Sequence, residues 1–177
     1  MGIVSSIFLE AFPQAETMEL GRKTLLLAEG DYSKKVFFIE QGIARMWFNK
    51  DGNDITFQFF FAGSAMASIA SLMEDRPSKF NIETVGPVVL KAVPKEIFLA
   101  RITSQEGVKD MLIRGLCQRL YDYQDLFLSR IKDSPKERYL GLIKQYPSLM
   151  EDVPHHYVAS YLGVTPVSLS RIRAKLH

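Results

Sequence analysis

The chain has 177 residues, with 22 Lys and Arg against 20 Asp and Glu for a formal charge of +2. It is 47% hydrophobic and 24% charged, with 11 Gly and 8 Pro, ordinary globular proportions that exclude disorder, collagen-like repeats and a polybasic tail. One cysteine, Cys117, excludes an internal disulfide, a CxxC redox pair and a Cys-rich zinc or iron–sulfur site. The stretch from Met1 to Glu10 lacks a basic start and a long apolar run, so no signal peptide is expected. Gly2 with Ser6 nominally fits a myristoylation pattern, without a second membrane signal beside it. No stretch approaches the ~20 apolar residues of a membrane helix, so the expectation is a soluble, cytoplasmic protein with no membrane partner.

The first half predicts β-structure. Thr24–Glu29, Val36–Gln41, Ala44–Asn49, Asp54–Phe61, Lys79–Val85 and Val88–Val93 are short and rich in Val, Ile, Phe and Thr. Turn signals such as Gln41-Gly42, Asp51-Gly52-Asn53 and Gly86-Pro87 separate them. Closely spaced short strands punctuated by glycine predict a sandwich or barrel rather than βαβ units. In Asp54–Phe59 apolar and polar residues alternate, so the polar set is expected to face away from the core. Gly63–Met73 interrupts the strands with small residues and helical spacing. It predicts a tight turn and a short helix, whose small residues serve close packing in preference to anion binding.

The second half predicts helices. Pro94–Arg101 forms a short one, and a long one runs from about Gln105 to Lys132. Ile113, Leu116, Leu120, Tyr123 and Phe127 step by three and four along it, and Ile131 extends the row, which is the seam pattern of a helix that pairs with another. At 1.5 Å per residue such a helix is about 40 Å long and outreaches a small domain, so a homodimer seam is preferred to packing on the chain's own β-structure. Cys117 on this helix is expected to be buried as a small apolar residue. Ser134-Pro135-Lys136-Glu137 then restarts a helix with a capping box and Pro at its first position, marking a hinge before Pro135–Tyr146.

The last stretch carries the most information. A short helix holds Val158, Ala159 and Leu162, Gly163 supplies a sharp turn, and Val164 plugs the angle. Thr165 caps the next helix with Pro166 at its first position, and Leu169, Ile172 and Leu176 are expected to face inward. That is the arithmetic of a helix-turn-helix. Thr165, Val167, Ser168, Ser170, Arg171, Arg173 and Lys175 are the candidate DNA-binding residues, since short hydroxyls near a helix start can meet base edges or phosphates and an arginine fork reads guanine. His155 and His156 are adjacent and diverge, so a surface or capping role is expected rather than metal ligation; His177 is terminal, and no metal site is expected.

Read in order, these parts resemble the Crp–Fnr family of bacterial transcription regulators. Val36–Met46 looks like the family's strand–glycine–strand signature, and Val158–Arg173 is similar to its helix-turn-helix. The resemblance implies an α+β architecture: residues 1–104 a β-roll effector domain like cyclic-nucleotide-binding domains, residues 105–133 a dimerisation helix, and residues 134–177 a helix-turn-helix domain. Family members follow the second helix with a two-stranded wing; the sequence stops at His177, so the wing is expected to be absent or truncated. The implied function is a homodimeric, sequence-specific transcription regulator, and the implied partners are double-stranded DNA, a second copy of the chain and RNA polymerase.

The nucleotide pocket departs from the family pattern. Nucleotide-binding members use a Gly-Glu-Leu-type loop and an Arg-Ser or Arg-Thr pair. Here the loop is Gly63-Ser64-Ala65, without a carboxylate, and Pro77 precedes Ser78. Lys79 or Arg76 would have to replace the missing arginine. Tyr123 and Gln124 stand where the resemblance places adenine contacts, although Tyr123 also fits the seam. Cyclic nucleotide is therefore disfavoured as the effector, and the remaining candidate ligand residues are Gly63, Ser64, Ala65, Ser78 and Lys79. An iron–sulfur cluster is excluded by the cysteine count. A haem branch would need a β-domain histidine, which is lacking, so only Cys or Pro ligation stays open.

Two other readings differ in class. A ligand-binding signalling module with little DNA binding would show affinity for cyclic nucleotides or another small anion. A cupin-type enzyme would need clustered metal ligands, and all three histidines lie after residue 150; no enzyme is expected. Residues 134–177 hold six Lys and Arg against three Asp and Glu, leaving residues 1–133 at −1. The near-neutral total divides into a slightly acidic first part and a small basic second part.

Overall fold

A computed structural model describes Phe8 and residues 10–176, so the Gly2/Ser6 pattern and His177 lie outside the described residues. Among the described residues eight strands are present: β1 (Glu16–Leu20), β2 (Leu25–Leu27), β3 (Lys35–Gln41), β4 (Ala44–Lys50), β5 (Asn53–Phe60), β6 (Ala65–Met66), β7 (Asn81–Thr84) and β8 (Val88–Pro94). They form two antiparallel four-stranded sheets, ordered β1-β8-β3-β6 and β2-β7-β4-β5. The β4–β5 hairpin turns at Asp51 and Gly52, both at positive φ, as the mirror-image turns that match strand twist require. At Gly42, φ +87°, an added Cβ would sit 2.3 Å from the Pro87 carbonyl oxygen, so the β3–β4 crossing needs glycine on two counts.

The six predicted strands correspond to β2–β5, β7 and β8, with β2 and β7 shorter than expected. Sequence reading missed β1 and β6. β1 is an edge strand with few apolar residues, held by its register on β8, and β6 is two residues long, paired to Phe37 and Phe38. Between the sheets Phe37, Ile39, Met46, Phe60, Met66, Ile82 and Leu90 fill the roll.

Among the described residues seven helices have both ends defined: α1 (Ile69–Glu74), which lies between β6 and β7, and after the strands α2 (Lys95–Ser104), α3 (Glu106–Lys132), α4 (Pro135–Gln145), α5 (Leu149–Asp152), α6 (His155–Leu162) and α7 (Pro166–Ala174). The result is an α+β fold, a β-roll followed by a long helix and a small helical unit. Ser71 of α1 is buried and its hydroxyl accepts the Ser33 amide at 2.7 Å. Only Val108 and Met111 of α3 are buried, both in its first two turns, beside Phe8, Phe12 and Phe98.

The helical unit rests on the roll. Phe59 and Val85 belong to the same buried cluster as Tyr139, Leu142, Leu149, Tyr157, Val158 and Leu169. The Phe59 and Tyr161 rings meet tilted, 5.2 Å between centroids, and Phe61 stacks on Tyr146 at 4.2 Å. The polar face of β5 is therefore not solvated as alternation predicted. Thr56 is fully buried because α6 covers it, and its amide donates to the Ser160 hydroxyl at 3.1 Å.

Candidate nucleic-acid interface

The α6–α7 corner forms for local reasons. Gly163 adopts φ +69°, its amide donates to the Ser160 carbonyl at 3.0 Å, and the Val164 amide donates to Ala159 at 3.0 Å. This left-handed ending closes the orphan carbonyls of α6. Two arginines finish the job from outside the motif. Arg130, in the last turn of α3, donates to the Tyr161 carbonyl at 2.6 Å. Arg138 of α4 donates to the Leu162 carbonyl at 3.2 Å and to the Asp133 carbonyl at 2.8 Å. Cations at a helix C-terminus oppose its partial negative charge, and here they tie the corner to the end of the long helix.

α7 starts at a satisfied cap. Thr165 Oγ1 accepts the Ser168 amide at 3.1 Å and donates to the Ser168 hydroxyl at 3.0 Å, with Pro166 at the first position. Leu169 is buried and Ile172 partly so, but Leu176 is exposed, contrary to the inward position expected. It lies past the helical end at Ala174, where the 3.6-residue period no longer directs it.

The seven candidate DNA-binding residues are not equivalent. Val167, Ser170, Arg171 and Lys175 are exposed on α7. Thr165 and Ser168 spend their hydroxyls on the cap. Arg173 is half-buried, with Nη1 3.1–3.2 Å from the ring nitrogens of His155, so it is engaged within the motif instead of being displayed like Arg171. His155 thereby has a contact across the corner. Its neighbour His156 has a pKa lowered by burial and then by the positive charges of Arg45 and Lys23.

The predicted seam is displayed along α3. Ile113, Leu116, Leu120, Tyr123, Phe127 and Ile131 are all exposed, Phe127 and Ile131 at 65%. An apolar row this long is uncommon on a free surface. Cys117 is exposed too, which corrects the buried position expected. It stands next to the seam, in a part of α3 with no buried residue. Arg119 of α3 lies over the Phe60 ring at 4.5 Å.

The candidate ligand residues do not come together. Gly63, Ser64 and Ala65 line a cavity of about 390 Å³ between the roll and α3, whose other walls include Gln58, Phe98, Arg114 and Arg119. Ser78, Lys79, Tyr123 and Gln124 are not among its walls. The Ser78 hydroxyl donates to the Phe80 carbonyl at 2.7 Å, and its backbone bonds to Asp31 and Gly30 at 2.8 Å each, so its polar groups close their own turn. The amides of Gly63 and Ser64 donate to the Ile39 and Phe61 carbonyls at 2.8 and 3.0 Å. They are unavailable as an anion cradle. Among the described residues, no group of three or more His, Cys, Asp or Glu is placed to hold a metal ion, and no helix is long and apolar enough to cross a membrane.

Sequence reading missed Arg45. Its side chain is 1% exposed, yet it lies on β4 with Nε 2.8 Å and Nη2 2.6 Å from Glu83 Oε1, Nη1 2.9 Å from Thr56 Oγ1 and Nη2 3.2 Å from Asp54. The Tyr157 ring of α6 covers the guanidinium at 3.5 Å. Arg45 and Glu83 are direct register partners on β4 and β7. The available signal was one opposite charge in each of two strands otherwise built for burial.

The sequence of residues 17–105 matches the family model of the cyclic nucleotide-binding domain. No curated protein matches the sequence. Among solved structures, FixK2 from Bradyrhizobium japonicum is 16% identical, with a TM-score of 0.80 over 92% of this chain and 84% of that one. The c-di-GMP-responsive global regulator CLP of Xanthomonas campestris is 14% identical, with a TM-score of 0.73 over 98% and 90%. The catabolite activator protein of Thermus thermophilus is 19% identical, with a TM-score of 0.59 over 99% and 84%. At these identities the likeness is one of fold, and it runs through the helical unit as well as the roll.

Proposed function

The chain belongs to the cyclic nucleotide-binding domain family, and from that premise we propose that it is a homodimeric, sequence-specific DNA-binding transcription regulator of the Crp–Fnr type. The observation that carries this reading is α7: a capped helix, braced on one side by Leu169, that presents Val167, Ser170, Arg171 and Lys175 to solvent in the most basic part of the chain. A planar arginine fork on an exposed helix suits bidentate contact with guanine, and Lys175 suits a phosphate. In this reading residues 1–104 are the effector roll, residues 105–133 pair with a second copy, and residues 134–177 read DNA. The occupant proposed for the exposed row of α3 is a second copy of the same helix, because a row stepping by three and four is complementary to itself about a two-fold axis. The spent amides of Gly63 and Ser64 and the closed turn at Ser78 weigh against a cyclic-nucleotide phosphate in the roll.

The test is selection of duplexes from a random-sequence library by the full chain, followed by affinity measurements across a salt series. The expected site is a two-fold repeat with half-site centres about 10 base pairs apart, bound more weakly as salt rises. Arg171→Ala should weaken it about ten-fold or more. Leu120→Glu with Phe127→Glu should yield a monomer by sedimentation and abolish preference for the repeat. A chain that enriches no sequence, or a double variant that remains dimeric, refutes the respective half of the proposal.

A further inference from the structure

What α7 leaves free specifies more than an affinity for DNA. At about 100° per residue, Leu169 and Ile172 point into the helical core, and the opposite side carries Val167, Ser170, Arg171 and Ala174. All four are exposed. On the first turn the Thr165 hydroxyl is used by the Ser168 amide and the Ser168 hydroxyl oxygen, and, further along, Arg173 is engaged by His155. Val164 and Ile172 pack against the buried cluster of the helical unit, whereas Val167 is not in it and is 61% exposed. The first turn of the presented helix therefore offers a branched hydrocarbon, followed one turn later by a hydroxyl and a guanidinium.

In the major groove the one methyl group on a base edge is the C5 methyl of thymine; cytosine has only a hydrogen at that place, and the remaining recognition groups are hydrogen-bond donors or acceptors. Valine can satisfy none of those donors and acceptors. Against guanine, adenine or cytosine it would strip water from a polar edge and return nothing, while against thymine it buries two apolar surfaces. Resting on the DNA-binding reading above, we propose that Val167 is a specificity-determining residue that selects a thymine by its methyl group at one fixed position in each half-site. Val167 and Arg171 are one turn apart, about 6 Å along the helix, which spans about two base steps of 3.4 Å. The selected thymine accordingly lies within about two base pairs of the guanine met by Arg171.

The experiment uses the full chain and the duplex it selects from a random library. Each thymidine in turn is replaced by deoxyuridine, which removes the methyl and keeps the hydrogen-bonding pattern. Wild type should lose about four-fold in affinity at one symmetric position, the factor for one buried methyl, and about fifteen-fold when both half-sites are changed. Val167→Ser, at an exposed position, should fold normally by circular dichroism, bind the thymidine duplex more weakly and be indifferent to deoxyuridine at that position alone. A selected site with no invariant thymine, a wild type indifferent to every deoxyuridine, or a Val167→Ser variant that keeps the full discrimination overturns the assignment while DNA binding stands. Failure to select any duplex overturns it together with the proposed function.

Discussion

The guanidinium of Arg45 should hold the roll and the helical unit together, and its removal should be costly. Its side chain is 1% exposed and that of Glu83 is 10% exposed, so Arg45→Met strands the Glu83 carboxylate out of water without its cation. Breaking one member of a buried pair costs about 3–5 kcal/mol. At a urea m-value of about 2 kcal/mol per molar, the unfolding midpoint should fall by about 2 M. The assay is urea unfolding followed by fluorescence of the single tryptophan, Trp47, whose ring lies 4.8 Å from the Arg45 guanidinium. Adding Glu83→Gln to Arg45→Met should return most of the loss, because the stranded charge is then gone. Tyr157→Leu should lower the midpoint less, since it removes the ring over the guanidinium at 3.5 Å and leaves the pair intact. An Arg45→Met chain within about 1 kcal/mol of wild type, or a double variant no better than the single one, would refute the reasoning.

Two further outcomes follow from local chemistry. Ser134 caps α4, its hydroxyl accepting the Glu137 amide at 3.3 Å while Glu137 accepts the Ser134 amide at 2.8 Å. Ser134→Ala should cost about 1 kcal/mol in thermal or urea unfolding. The hydrogen bonds from Ser134 hold the Glu137 pKa below the ordinary glutamate range. Its share of stability is thus present above the unfolded-state pKa and lost as pH falls through the lowered one, a dependence that should weaken in Ser134→Ala, where the hydroxyl is gone and only the backbone amide still donates to the carboxylate. Burial pushes the Tyr161 phenol up to about 12. The folded chain keeps a proton that the unfolded chain releases near pH 10, so stability is full below pH ~10 and is lost as pH rises toward ~12. In Tyr161→Phe the urea midpoint should decline less over that window, and an equal decline would contradict the burial argument.

Local rules account for most of the elements. Asp51-Gly52 announces its hairpin, Ser134-Pro135-Lys136-Glu137 announces the start of α4, and the steps from Ile113 to Phe127 announce one face of α3. The same rules placed Thr165 at a cap and Gly163 in a left-handed turn. Each depends on residues within about one turn of one another, where caps and backbone sterics act. They lose force where partners decide. β1 has too few apolar residues to declare itself and exists through pairing with β8. Cys117 was expected to be buried because a lone cysteine behaves as a small apolar residue, yet it is exposed, since α3 buries side chains only at Val108 and Met111 near its start.

For the candidate site the division is similar. The residues of α7 were legible as a set, but which of them face outward was not: the Thr165–Ser168 cap and the His155–Arg173 contact sort displayed side chains from occupied ones. By itself the sequence determined six of the eight described strands, the longer helices, the capped corner and the apolar row on α3, since periodicity and capping are written in neighbouring residues. Only the tertiary structure decided that Arg45 meets Glu83 across 38 residues, that Thr56 meets Ser160 across 104, and that Ser78 closes its own turn away from the Gly63 cavity. Those contacts join residues far apart in the chain, and a buried charge shows its partner only once the sheets and helices have closed around it.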